Sequence, residues 1–160
     1  MPKISRHGLD IISSKVEQAI TAGISSIAVF PVIDSHKKDQ EGSEALNPNN
    51  LICSAISSLK KQFPEIIIIA DVALDPYTNH GHDGVLKGNK IDNDETLKLL
   101  GEQATFLADA GADIIAPSDM MDGRIGYIRS KLDEFNHKDT IILSYACLLY
   151  TSPSPRDLST

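Results

Sequence analysis

Between Asp71 and Gly84 the chain reads DVALDPYTNHGHDG, which gathers three carboxylates (Asp71, Asp75, Asp83) and two imidazoles (His80, His82) into one short stretch. They stand directly behind four consecutive isoleucines, Ile66 to Ile69. A run of that kind reads as a buried strand, so the polar cluster falls where the strand leaves a core. Asp71 closes the apolar run. Its carboxylate must be paired, hydrogen-bonded or pushed toward the neutral acid, and each of these suits proton transfer or ammonium binding. A structural salt bridge would use the same residue. Asp75 and Asp83 offer hard oxygen ligands that suit Mg2+ better than zinc, and the same side chains could instead order the loop through Asx-type hydrogen bonds. His80 and His82 have the spacing of a metal pair, but ligation also needs a backbone geometry that spacing does not supply.

The elements that must position these groups follow from periodicity. Leu9, Ile12, Val16, Ala19 and Ile20 recur at helical spacing, and Gly23 ends that helix. Ser26 to Ile33 is a short apolar, β-branched run that predicts a strand. Asn47-Pro48 opens a second helix that ends near Phe63-Pro64, and Ile66 to Val72 is the second strand. A third helix begins near Asn93-Asp94-Glu95 and stops at Gly111, followed by a strand over Asp113 to Ala116. A fourth helix covers about Ile125 to Phe135, and Thr140 to Tyr145 is a fourth strand. Strands alternating with helices predict an α/β protein with a parallel sheet and right-handed crossovers. Four β/α units are half of what a (β/α)8 barrel needs, so a partial TIM barrel is one reading. A complete flavodoxin-like open sheet fits the length equally well.

From Cys147 onward Ser, Thr and Pro dominate and the strand-helix rhythm stops, which predicts an unrelated, disordered or artefactual tail over 147–160 behind a partial barrel over 1–146. A disordered tail on a complete domain is the alternative.

A net charge of −7 argues against nucleic-acid binding, which needs clustered Lys and Arg. The two cysteines, Cys53 and Cys147, are far apart and in no metal-ligand spacing, so neither a disulfide framework nor a cysteine zinc site is expected. With no apolar stretch near 20 residues and no leader pattern at the start, a membrane is not an expected partner and a cytoplasmic location is.

Five segments together carry a family resemblance: FPVID (Phe30 to Asp34), EGSEALNP (Glu41 to Pro48), the Asp71–Gly84 stretch, APSDMMDGR (Ala116 to Arg124) and ILSYA (Ile142 to Ala146). In order and spacing they resemble delta-aminolevulinic acid dehydratase, also called porphobilinogen synthase. The resemblance implies a TIM-barrel lyase of tetrapyrrole (heme) biosynthesis that condenses two molecules of 5-aminolevulinate into porphobilinogen, commonly as a homo-octamer. It implies that this chain supplies the second through fifth barrel strands. It also implies an active-site role for Asp71 and a pocket lined by Ser118 and Asp119, whose hydroxyl and carboxylate would orient the substrate's amino group. A helix-start role competes for Ser118 and Asp119. Arg124 would either pair with a carboxylate or be solvated.

Zinc-dependent members of the family resemble DVCLCxYTxHGHCG, and Ala73, Asp75 and Asp83 stand where their three thiolates would be. The resemblance is thus to the aspartate-rich branch, with Mg2+ a possible cofactor at Asp75 and Asp83 and the two histidines ordering the loop. The family's chemistry rests on two lysines that form Schiff bases with the substrates. One lies in a motif resembling SYxxK, which begins here at Ser144-Tyr145-Ala146, yet position 148 is Leu148. The other lies beyond the matching segment. The chain itself is therefore expected to be inactive, and the alternative is a binding or assembly module without turnover. Two unpaired strand edges and a bare sheet face predict poor solubility and no sharp thermal transition.

Overall fold

A computed structural model describes residues 5–146. Its main sheet has four parallel strands, β1 (Ser26–Val29), β2 (Ile67–Val72), β5 (Ile114–Pro117) and β6 (Ile141–Ile142), paired in that order. Helices α1 (Leu9–Thr21), α2 (Leu51–Gln62), α3 (Asn93–Asp109) and α4 (Arg124–Glu134) each precede one of these strands. The spatial order of the strands equals their order in the chain. A doubly wound sheet reverses its strand order at a switch point, and this one does not.

The two sheet faces differ. Along β2, Ile68, Ala70 and Val72 are fully buried, and they join Val29 and Ile115 with Val16, Ile56, Leu59, Leu100, Leu107, Ile128 and Leu132 of the four helices in one core. Side chains alternate across a strand, so Ile67, Ile69 and Asp71 point the other way. On that side Ile67 is 40% exposed and Ile141 58% exposed. The helices cover one face; the opposite face is open.

The first strand stops at Val29 rather than running to Ile33. Its last paired residue meets Ala70, Pro31 has no N–H to give a ladder, and Phe30 and Val32 lie exposed. The fourth strand is likewise confined to Ile141–Ile142, extended by one bond from the Leu143 N–H to the Ile115 carbonyl (2.8 Å). The second helix begins at Leu51, later than Asn47-Pro48. Buried Asn50 caps it by accepting from the Cys53 N–H (2.9 Å), while its amide donates to the Glu44 carbonyl (3.2 Å) within a 3-10 turn over Ser43–Leu46. Between β2 and α3 lies a hairpin the periodicity does not announce: β3 (Val85–Lys87) and β4 (Lys90–Asp92), antiparallel, joined by Gly88-Asn89. Gly88 has φ +64°, the positive value that the first central residue of a II′ turn requires.

Candidate active site

The site is assembled where β2 and β5 end. Asp71 pairs in register with Ala116, and the Ser118 N–H continues the ladder to the Val72 carbonyl (3.2 Å), so the polar residues of both strand exits lie side by side. Asp71 sits on the open face, between Ala70 and Val72 that face the core. Its Oδ1 is buried with no hydrogen-bond partner among the described residues. Burial raises its pKa above the ordinary carboxylate range, the Ser118 hydroxyl counters this, and the charges of Asp75 and Asp119 add to the rise. Tyr145, beyond β6, feels the Asp71 charge and is pushed up chiefly by its own desolvation.

Asp119 is only 1% exposed. Its Oδ1 accepts from the Met121 N–H (2.8 Å), and its Oδ2 lies 3.5 Å from Arg124 Nε without a well-aligned hydrogen bond. Arg124 is thus paired with a carboxylate rather than solvated, and its Nη1 donates to the Met121 carbonyl (3.2 Å). Burial raises the Asp119 pKa, and the Met121 N–H and the Arg124 charge oppose the rise. The competing helix-start role is not observed: α4 has Gly123 as its N-cap residue, with no side-chain cap, and Ser118 is exposed.

Asp83 closes the loop that starts at Asp71. Its Oδ1 accepts from the Leu74 N–H (2.7 Å), a bond nine residues back along the chain that ties the two ends of the loop together and is not the local bond of an Asx turn. Desolvation raises its pKa to about 6 against that bond, and Asp119, Asp75 and Asp71 push it further the same way. Asp75 is exposed and reaches the cluster through its charge. Among the described residues no three His, Cys, Asp or Glu side chains converge as a metal-ligand group. With one oxygen of Asp83 committed to Leu74, the donor set suits at most a hydrated cation held by one or two carboxylates. Cys53, whose thiol burial raises to about 11, is a core residue of α2.

The histidines brace the loop. His80 Nδ1 accepts from the His82 N–H (3.1 Å), which requires the proton on Nε2, and Nε2 meets the Gln40 carbonyl at 3.1 Å. Thr78 donates to the His82 carbonyl (2.9 Å). The segment that follows β1 packs alongside: Asp39 bridges to Thr78, the Asn79 N–H donates to the Asp39 carbonyl (2.8 Å), and the Asp39 carboxylate accepts from the Glu41 and Ser43 N–H groups (3.0 Å each). Gly42, at φ +68°, leaves room for Tyr77 and Thr78, both 3.5 Å from where a Cβ would sit.

Sequence reading missed three supports. Gln103 of α3 is buried and donates to the Ala73 carbonyl (3.1 Å), between Asp71 and Asp75. Tyr77 is buried beside Gln103, with its hydroxyl pKa pushed up by desolvation. Asn93 exchanges two bonds with the backbone of Asp122 (2.8 and 3.2 Å), tying the loop after Asp119 to the start of α3. A glutamine inside an apolar helix stripe is a signal for the first; the other two leave none in local sequence.

These features define a class: a parallel β/α sheet in barrel order, with coupled carboxylates at the carboxyl ends of adjacent strands, where barrel active sites are built. Residues 1–153 match the family model for delta-aminolevulinic acid dehydratase. The chain belongs to that family. It is similar to the delta-aminolevulinic acid dehydratases of Chlamydia pneumoniae (47% identical over 146 residues, 91% of this chain and 44% of that protein) and Bradyrhizobium diazoefficiens (51% over 146 residues, 91% and 41%). Among solved structures it is similar to the Toxoplasma gondii ME49 enzyme, delta-aminolevulinic acid dehydratase (porphobilinogen synthase), in complex with the reaction product porphobilinogen. There the TM-score is 0.90 with 45% identity, over 92% of this chain and 42% of that one. The chain spans less than half the length of these relatives. No helix of the described residues is long and apolar enough to cross a membrane.

Proposed function

We propose that this chain forms part of the barrel of a porphobilinogen synthase, the lyase that condenses two molecules of 5-aminolevulinate into porphobilinogen with loss of water. The observation that carries this reading is the pairing of Asp71 with Ser118 and Asp119 at two adjacent strand ends, on the sheet face that the helices leave open. A barrel interior is such a face. Its carboxylates suit the protonated amino group of 5-aminolevulinate, and burial, which raises the Asp71 pKa above the ordinary carboxylate range, favours the neutral acid that a proton-transferring group must also reach. Ser118, exposed beside it, orients the same amine.

The loop is of the aspartate-rich type. Asp75 and Asp83 would hold a hydrated Mg2+, whose charge would offset theirs; no proton transfer at Asp71 depends on it. Covalent catalysis by Schiff bases needs lysines that the matched strand ends do not supply, and Leu148, at the position of one of them, lies outside the described residues. The chain alone therefore binds substrate without turning it over, and the longer assembly, a homo-oligomer in the cytoplasm, carries the activity. Calorimetric titration with 5-aminolevulinate tests this. Saturable binding that weakens at least tenfold in Asp71→Asn is expected, with no porphobilinogen formed and no adduct trapped by borohydride. Porphobilinogen formation by the purified chain, or binding indifferent to Asp71, would refute it.

A further inference from the structure

Where β2 leaves the sheet, one backbone group passes out of the ladder's reach. The Val72 carbonyl takes the Ser118 N–H, but the next carbonyl, that of Ala73, is buried and needs a donor from elsewhere. Helix α3 supplies it. Gln103, buried in the stripe that also holds Leu100, Ala104 and Leu107, donates from Nε2 to the Ala73 carbonyl at 3.1 Å. The N–H of that same peptide unit belongs to Leu74, and it donates to Asp83 Oδ1 at 2.7 Å. One peptide plane is therefore gripped at both ends, by a core amide at its oxygen and by a site carboxylate at its nitrogen. A carbonyl that accepts a hydrogen bond polarises its peptide and strengthens the N–H as a donor, so the two bonds reinforce each other.

The loop beyond returns to the same glutamine. The Leu74 carbonyl accepts from the Tyr77 and Thr78 N–H groups (2.9 and 3.0 Å), and the buried Tyr77 hydroxyl interacts with the Gln103 amide. Gln103 Oε1 has no hydrogen-bond partner among the described residues. A half-satisfied amide weakens an apolar stripe that methionine would fill as well, so packing alone does not account for it. Asp71 is fixed by the β2–β5 ladder, which ends one residue later, whereas Asp75 and Asp83 follow the Ala73–Leu74 unit. The clamp thus joins the two halves of the carboxylate cluster.

We propose that Gln103 is a positioning residue for the substrate site: through the Ala73–Leu74 peptide unit it sets where the Asp75 and Asp83 carboxylates stand relative to Asp71. The proposal rests on the porphobilinogen synthase reading above for the identity of the substrate.

Calorimetric titration of the purified chain with 5-aminolevulinate, paired with amide hydrogen exchange, tests it. Gln103→Met keeps the volume and removes both polar atoms. It should weaken binding by about fivefold or more and speed exchange of the Leu74 N–H by about tenfold or more, while the Ile68 N–H, bonded to Asp113, exchanges as in the wild type. Gln103→Asn, whose amide falls one methylene short, should act in the same way and serves if the methionine variant does not fold. Ile128→Val thins the core from α4 and lowers the unfolding midpoint, yet should leave both readouts within about twofold of the wild type. Wild-type affinity in Gln103→Met, or an equal loss of affinity in Ile128→Val, would overturn the proposal and leave the function standing. If the wild type itself does not bind 5-aminolevulinate, the assigned substrate falls instead, and unchanged Leu74 exchange in Gln103→Met would overturn the clamp independently.

Discussion

Replacing Asp83 by Asn removes a charge while keeping the carbonyl oxygen that accepts the Leu74 N–H. In the folded chain Asp83 has a pKa of about 6, mainly through desolvation. Unfolded, it returns to about 3.9. The folded state therefore binds this proton more tightly, and stability falls as pH rises from about 4 to about 6. A rise of that size corresponds to at most about 3 kcal/mol at neutral pH, and partial exposure of the side chain lowers this to about 1–2 kcal/mol. In urea titrations with EDTA present, D83N should be more stable than the wild type by that amount at pH 7.5. The advantage should vanish below about pH 4, where the wild-type carboxyl is protonated in both states. Equal stability at pH 7.5, or a side-chain carbon resonance titrating near 4, would refute the reasoning. If Asp75 and Asp83 hold Mg2+, millimolar Mg2+ should restore the wild type and leave D83N unchanged.

Three further outcomes are expected. Asn50→Ala should cost about 1–2 kcal/mol, because it removes both the α2 cap and the bond to the Glu44 carbonyl; urea denaturation reads it directly. Lys60→Met should cost about 1–2 kcal/mol, since Lys60 Nζ joins the Pro64 and Ile66 carbonyls to Asp113, whose Oδ2 accepts from the Ile68 N–H; amide exchange at Ile68 should rise with it. Leu100→Ala, at a fully buried core position of α3, should cost about 2–5 kcal/mol by thermal denaturation.

The element pattern was readable because each helix stripe and each apolar strand faces one core: Leu97, Leu100, Ala104 and Leu107 recur at the spacing that buries them. Strand lengths were not readable. SIAVFPVI and TIILSY are apolar throughout, yet ladder pairing covers only Ser26–Val29 and Ile141–Ile142, because a strand at an edge has one neighbour to set its extent. The β3–β4 hairpin escaped notice because VLKGNKID is short and carries few apolar residues. The site residues Asp71, Asp83 and Asp119 could be picked by type and position, whereas the pairing of Arg124 with Asp119 and the clasp of His80 on Gln40 depend on distances that only the fold sets.

His80 takes its distant partner from the main chain: the Gln40 carbonyl, not the glutamine side chain. Any amino acid at position 40 offers the same oxygen. Position 40 is therefore free to drift, while position 80 admits only an imidazole able to accept on one nitrogen and donate from the other. A saturation library should be flat at the first position and sharp at the second, although the two are joined by one bond.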